Sequence, residues 1–151
     1  TGICNRASGE KRIDHLLQTG HPGMFCLLDV DEFKDINDNY GHLTGDDALK
    51  AIADCMKHSF RESDVVMRLG GDEFVVFVTD MCNEETGSRM LKRFMEAVHK
   101  IRVGENGEVK VSLSLGAVLC SGEEVWSFEQ LYHKADEAMY RCKKRKKTGE
   151  R

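Results

Sequence analysis

The chain lacks any apolar run approaching the roughly 20 residues that a membrane-spanning helix takes. It also lacks a secretory signal at its start, which is Thr1 and not Met. We expect a fragment of a longer protein, working in the cytoplasm, with any sensor domain or membrane anchor lying upstream. No Cys-x-x-Cys pair occurs: Cys4, Cys26, Cys55, Cys82, Cys120 and Cys142 are widely spaced. That spacing disfavours a zinc site or a disulfide framework and suits reduced, partly buried thiols. Proline is nearly absent, with Pro22 alone in 151 residues, and no repeat or low-complexity linker divides the chain, so residues 1–151 read as one domain. An excess of positive charge is missing too. The formal net charge is −4, which argues against a general nucleic-acid binder.

What is present centres on Val65 to Val78, VVMRLGGDEFVVFV. Val65, Val66, Met67 and Leu69 on one side, and Phe74 to Val78 on the other, have the β-branched and aromatic content of paired strands, so the stretch predicts a hairpin. Its expected tip is Gly70, Gly71, Asp72 and Glu73. The two glycines permit positive φ and close approach of a bulky ligand. Two adjacent carboxylates repel unless a cation lies between them or water screens them. A metal site and a solvated acidic turn both fit.

Around the hairpin, a helix is expected over 8–18, and the nearly continuous apolar run Met24 to Val30 predicts a central strand covered on both faces. That strand ends in acid. Asp29 and Asp31 share a face if the strand continues, and Asp29 needs a partner wherever it is buried. Asp31 suits the N-cap of a short helix over 32–40, stopped by Gly41. A helix over 44–60 carries the apolar stripe Leu49, Ile52, Ala53, Met56 and Phe60, with Asp46 and Asp47 expected in its first turn, where the helix dipole favours them. Another helix spans 83–101, and Val103 to Gly107 reads as a turn. Val109, Val111, Leu113 and Leu115 then alternate with polar residues as one half-covered strand. A last helix over 127–145 opens on a Ser127–Gln130 capping box. This order gives an α/β or α+β fold.

The hairpin core LGGDEF, Leu69 to Phe74, resembles the signature of the GGDEF diguanylate cyclases. The resemblance extends from TGICNR at Thr1 through VSLSLG to about Lys147. It includes D-x-D-x-F-K at Asp29 to Lys34 and F-K-x-I-N-D-x-x-G-H-x-x-G-D at Phe33 to Asp46, complete in every fixed letter. It also includes R-x-x-D at Arg61 to Asp64, five residues before Gly70. It implies a ferredoxin-like, palm-type nucleotidyl cyclase core, with a mixed, mostly antiparallel sheet flanked by helices.

By this resemblance Asp29 and Asp72 bind Mg2+ or Mn2+ together with the Val30 carbonyl. Glu73 is either a ligand of a second metal or a proton acceptor, and Asp29, Asp72 and Glu73 form the implied catalytic group. Magnesium takes one or two carboxylates and leaves room for substrate phosphates. The family places the triphosphate on the amides around Glu32 and Phe33, with Lys34 as a cation and Gly70 and Gly71 against the substrate. Without the motif, Lys34 is an ordinary solvated lysine. Asn37 and Asp46 match the guanine-reading pair, and Asp46 stands where members that also accept ATP tend to carry Ser, so GTP is implied. Arg61 and Asp64 match an inhibitory site for cyclic di-GMP, with Arg89 or Arg93 as candidates for a second arginine; an ordinary surface ion pair is the alternative.

The implied reaction condenses two GTP into cyclic di-GMP and two pyrophosphates across a homodimer, since one such domain holds one GTP. The rival is a module that binds GTP or cyclic di-GMP without turnover. The family's closing Ala-Lys-x-x-Gly-Arg-Asn is altered here. Lys143 matches the phosphate-binding lysine and Lys147 the arginine, but Lys146 stands where the glycine is expected. The basic run 143–147 also reads as a solvated helix end, or as a binder of RNA or anionic membrane.

Overall fold

The computed structural model describes residues 3–148, which leaves Thr1 and Gly2 of TGICNR outside the described residues. The elements are α1 (Arg6–Gln18), β1 (Gly23–Val30), α2 (Phe33–Tyr40), α3 (His42–Ser59), β2 (Val65–Gly70), β3 (Glu73–Thr79), α4 (Glu84–His99), β4 (Arg102–Val103), β5 (Val109–Lys110), β6 (Leu113–Cys120) and α5 (Phe128–Thr148). Four strands form an antiparallel sheet in the order β2-β3-β1-β6, and β4 and β5 make a separate ribbon. The α+β class and the mostly antiparallel sheet flanked by helices agree with the expectation.

β1 is central and sided. Met24, Cys26, Leu28 and Val30 join Ile52, Met56, Phe94 and Val98 in the core shared with α3 and α4. Phe25 and Leu27 pack with Ile13, Leu17, Leu131 and Met139 beneath α1 and α5. Each fully buried large apolar side chain contributes about 1.5–3 kcal/mol, so neither face of β1 is dispensable. The period of two then carries Asp29 to the α5 side. α5 lies against β6 because Gly116 has no side chain: a Cβ there would stand 2.0 Å from the Ala135 carbonyl oxygen.

Local signals in the sequence hold in several places. Gln130 N–H donates to the Ser127 hydroxyl (3.1 Å) and Ser127 N–H to the Gln130 side-chain oxygen (3.0 Å), a complete capping box. The α3 stripe is buried from Leu49 to Phe60.

Other expectations are corrected. The hairpin turn is only Gly71 and Asp72. Gly70 belongs to β2 and Glu73 to β3, and they pair across a register shift between Arg68 and Gly70. The single strand expected over 109–115 divides, because alternation reports burial and not the partner. Val109 and Lys110 pair with Val103 and Arg102 as a two-stranded ribbon; the turn expected over 103–107 is its connection, with Gly107 N–H donating to the Gly104 carbonyl (3.2 Å) and only Val103 in a strand, and β6 of the main sheet starts at Leu113. α3 starts at His42, so Asp46 and Asp47 lie beyond its first turn. Asp31 does not cap α2. That position is Glu32, held at φ 52°, and the Asp31 carboxylate turns toward β6 and α5 instead.

Candidate functional site

The acids converge where β1, the β2–β3 turn and α5 meet. Asp29 faces Glu73 in the β1–β3 register and Ser114 in the β1–β6 register. Asp72 is fixed through its backbone, its carbonyl accepting from the Val30 N–H (3.1 Å). The turn is clamped by Arg68, which donates Nε (3.2 Å) and Nη2 (2.7 Å) to the Gly71 carbonyl. Gly71 itself sits at φ 54°, a conformation glycine adopts without strain.

The Asp29 side chain is 13% exposed and its Oδ2 accepts from the Lys143 ammonium. Its Oδ1 is buried and has no hydrogen-bond partner. Burial, then the neighbouring Asp29 carboxylate and the charge of Glu73, push Asp72 up to about 6. Burial and the Asp29 charge also raise Glu73, against the opposing hydrogen bond from the Tyr132 hydroxyl (3.3 and 3.4 Å to its two oxygens). Burial alone would lower Lys143, but the hydrogen bond and charge of Asp29 outweigh it and raise the group.

These observations fit a divalent cation. An orphaned buried carboxylate oxygen and two acids pushed toward their neutral forms are what a cation would relieve, and one or two carboxylates suffice for magnesium. Among the described residues no three His, Cys, Asp or Glu side chains already stand in a ligating cluster.

Beside the acids, a cavity of about 410 Å3 opens between the start of α2, the start of β6 and the end of α5, lined by Asp31, Glu32, Ser114, Lys143, Lys146 and Lys147 among others. The N–H groups of the first turn of α2 have no intrahelical acceptor, and such a terminus favours anions. Phe33 is half-buried and Lys34 exposed in that turn. Lys147 lines the cavity, so the lysine in the arginine position does reach it.

Asn37 and Asp46 are carried by α2 and α3. Gly45 makes their approach possible: a Cβ on it would lie 1.9 Å from Asn37 Oδ1. Asn37 is half-buried and Asp46 exposed.

Arg61 and Asp64 lie away from this cavity. Asp64 is buried and accepts from Arg61 N–H (2.8 Å), Thr79 N–H (2.9 Å) and the Thr79 hydroxyl (3.2 Å). Its first role is therefore to tie the α3–β2 loop to the end of β3. Arg61 donates Nη2 to the Thr79 carbonyl (2.6 Å) and to Asp64 Oδ1 (3.3 Å), with its side chain 55% exposed. Arg89 and Arg93 line a separate cavity with His58.

Sequence reasoning missed Arg68, Tyr132, Ser112, Ser114 and Lys146. Burial would raise Asp31, but Lys146, Ser114 and Ser112 outweigh it and lower the group.

The profile described as "Diguanylate cyclase, GGDEF domain" matches residues 1–149. The diguanylate cyclase DosC of Escherichia coli is 39% identical over 138 residues, covering 90% of this chain and 29% of that protein. The chain thus spans less than a third of that relative. The solved GGDEF domain of YfiN (TpbB) from Pseudomonas aeruginosa superposes with a TM-score of 0.85 at 33% identity, covering 95% of this chain and 92% of that one. Diguanylate cyclase SiaD of the same organism, solved in complex with its activator SiaC, gives a TM-score of 0.85 at 30% identity, covering 95% of this chain and 56% of that one.

Proposed function

The chain belongs to the GGDEF family of diguanylate cyclases, and on that premise we propose that it condenses two GTP into cyclic di-GMP and two pyrophosphates. The observation that carries this reading is the meeting of Asp29, Asp72 and Glu73 beside a lysine-lined cavity at the start of α2.

Asp29, Asp72 and the Val30 carbonyl would hold Mg2+ or Mn2+, with Glu73 available to a second ion or to the 3′-hydroxyl proton. The bound cations supply Lewis acidity, lowering the barrier to 3′-hydroxyl attack and neutralising the leaving pyrophosphate. Phosphates are received by the amides at Glu32 and Phe33 and by Lys34, Lys143 and Lys147. Asn37 and Asp46 read the guanine edge, an amide and a carboxylate supplying both acceptor and donor. Gly70 at the end of β2 and Gly71 in the turn put no side-chain bulk where the nucleotide would lie. With a cation at Asp29, the Lys143 ammonium, which also lines the cavity, would be available to phosphate.

One chain offers one such site. The second GTP therefore arrives on a second copy, and the two 3′-hydroxyls attack reciprocally. The dimer is supplied by the longer protein of which residues 1–151 are one domain, with a sensor region setting its geometry. Arg61, exposed beside its buried Asp64 anchor, binds product and slows turnover.

The test is incubation of the chain, fused to a dimerising coiled coil, with GTP and magnesium, followed by chromatography of the nucleotides. Cyclic di-GMP is expected. Tight GTP binding without product in the forced dimer would support the binding-module alternative.

A further inference from the structure

Lys143, Lys146 and Lys147 are spaced i, i+3 and i+4 on α5 and so share one helix face. Lys144 lies elsewhere, its ammonium 5.9 Å from the Tyr140 ring centre. All three lysines of the shared face line the cavity at the start of α2. α5 continues to Thr148, so the position of Lys146 is helical, and the ammonium reaches back to Asp31, just past β1, and to the start of β6.

There it donates to Asp31 Oδ2 (2.6 Å) and to the Leu113 carbonyl (2.6 Å). An ammonium has three donors, so one remains for the cavity. Asp31 would otherwise be a fixed anion in a space meant for phosphate. The hydroxyls of Ser112 (2.7 Å) and Ser114 (2.5 Å) also donate to the Asp31 carboxylate, and the Lys146 ammonium is the cation paired with it.

We infer that Lys146, standing where the family's closing motif has glycine, is a polyphosphate-binding residue, neutralising Asp31 and giving its third N–H to the nucleotide's phosphates. The inference rests on the reading of this cavity as the triphosphate site, and it adds a cation that the lysine at 143 and the lysine in the arginine position at 147 do not account for.

Calorimetric titration tests it, with magnesium and a GTP analogue bearing a methylene between the α and β phosphorus atoms, its adenine counterpart, GMP, and inorganic tripolyphosphate. Lys146→Ala should weaken the GTP analogue and tripolyphosphate about tenfold, the scale of one charge-assisted hydrogen bond, and leave GMP nearly unchanged. Lys146→Arg should keep most of the affinity. The double variant Asp31→Asn/Lys146→Ala should recover part of the loss, because no unbalanced carboxylate is left. Equal affinities in wild type and Lys146→Ala, or a loss shared equally by GMP, would overturn the inference and leave the GTP site standing. Lys146-dependent tripolyphosphate binding with no preference for guanine would retain the inference and refute the guanine site. Binding of neither the GTP analogue nor tripolyphosphate to wild type would overturn both.

Discussion

Asn37 Oδ1 occupies the space that a Cβ on Gly45 would fill, 1.9 Å from it, so the glycine one residue before Asp46 is what lets α2 and α3 bring the proposed guanine-reading pair together. Gly45→Ala should displace Asn37 and lower GTP affinity about tenfold, the scale of a hydrogen bond left unmade in a site. Alanine is the better helix former by about 1 kcal/mol, so the thermal midpoint should change little. Titration with the GTP analogue and thermal melting check both parts; unaltered affinity would remove Asn37 from base recognition.

Asp64 and Arg61 should separate in their effects. Asp64 is buried and accepts from the backbone N–H and guanidinium of Arg61 and from the N–H and hydroxyl of Thr79, so Asp64→Ala should destabilise the fold by about 2–4 kcal/mol in urea titration. Arg61→Ala, at a side chain 55% exposed, should cost under about 1 kcal/mol yet relieve inhibition by added cyclic di-GMP. Inhibition that persists in Arg61→Ala would make the pair structural alone.

Tyr132 reaches Glu73 from α5, and its hydroxyl restrains the Glu73 carboxylate. Tyr132→Phe removes that donor while keeping the ring. Turnover should fall roughly three- to tenfold with the melting midpoint nearly unchanged, the size of one modest hydrogen bond. A full rate in Tyr132→Phe would show that Glu73 is held without it.

The seat of α5 depends on Gly116. Gly116→Ala forces a methyl against the Ala135 backbone, and overpacking against main chain costs about 1–3 kcal/mol or more. Because α5 carries Lys143, Lys146 and Lys147, the same variant should also weaken tripolyphosphate binding. A stable variant with unchanged binding would contradict the placement of that helix.

The parts legible in the sequence are those encoded locally. The capping box at Ser127 and Gln130, the α3 stripe and the apolar strand ending at Asp29 each need only a short window of chain. The site residues came from the motif frame, because spacing in Phe33 to Asp46 and in Leu69 to Phe74 is itself short-range. What stayed hidden depends on contacts across the chain. Asp31 looked like a helix cap, and only the arrival of Ser112, Ser114 and Lys146, 81 to 115 residues away, shows why it turns elsewhere. Tyr132 is 59 residues from Glu73. The division of 109–115 into two strands followed from pairing with Arg102 and Val103, which alternation does not report.

The most direct test of the account compares pyrophosphate release and cyclic di-GMP formation by the coiled-coil-fused chain and its Asp72→Ala variant, with circular dichroism to confirm that both are folded. Product is expected from the parent chain and loss of turnover from the folded variant, since the carboxylate that would hold the catalytic cation is gone. An equal rate from Asp72→Ala would contradict it.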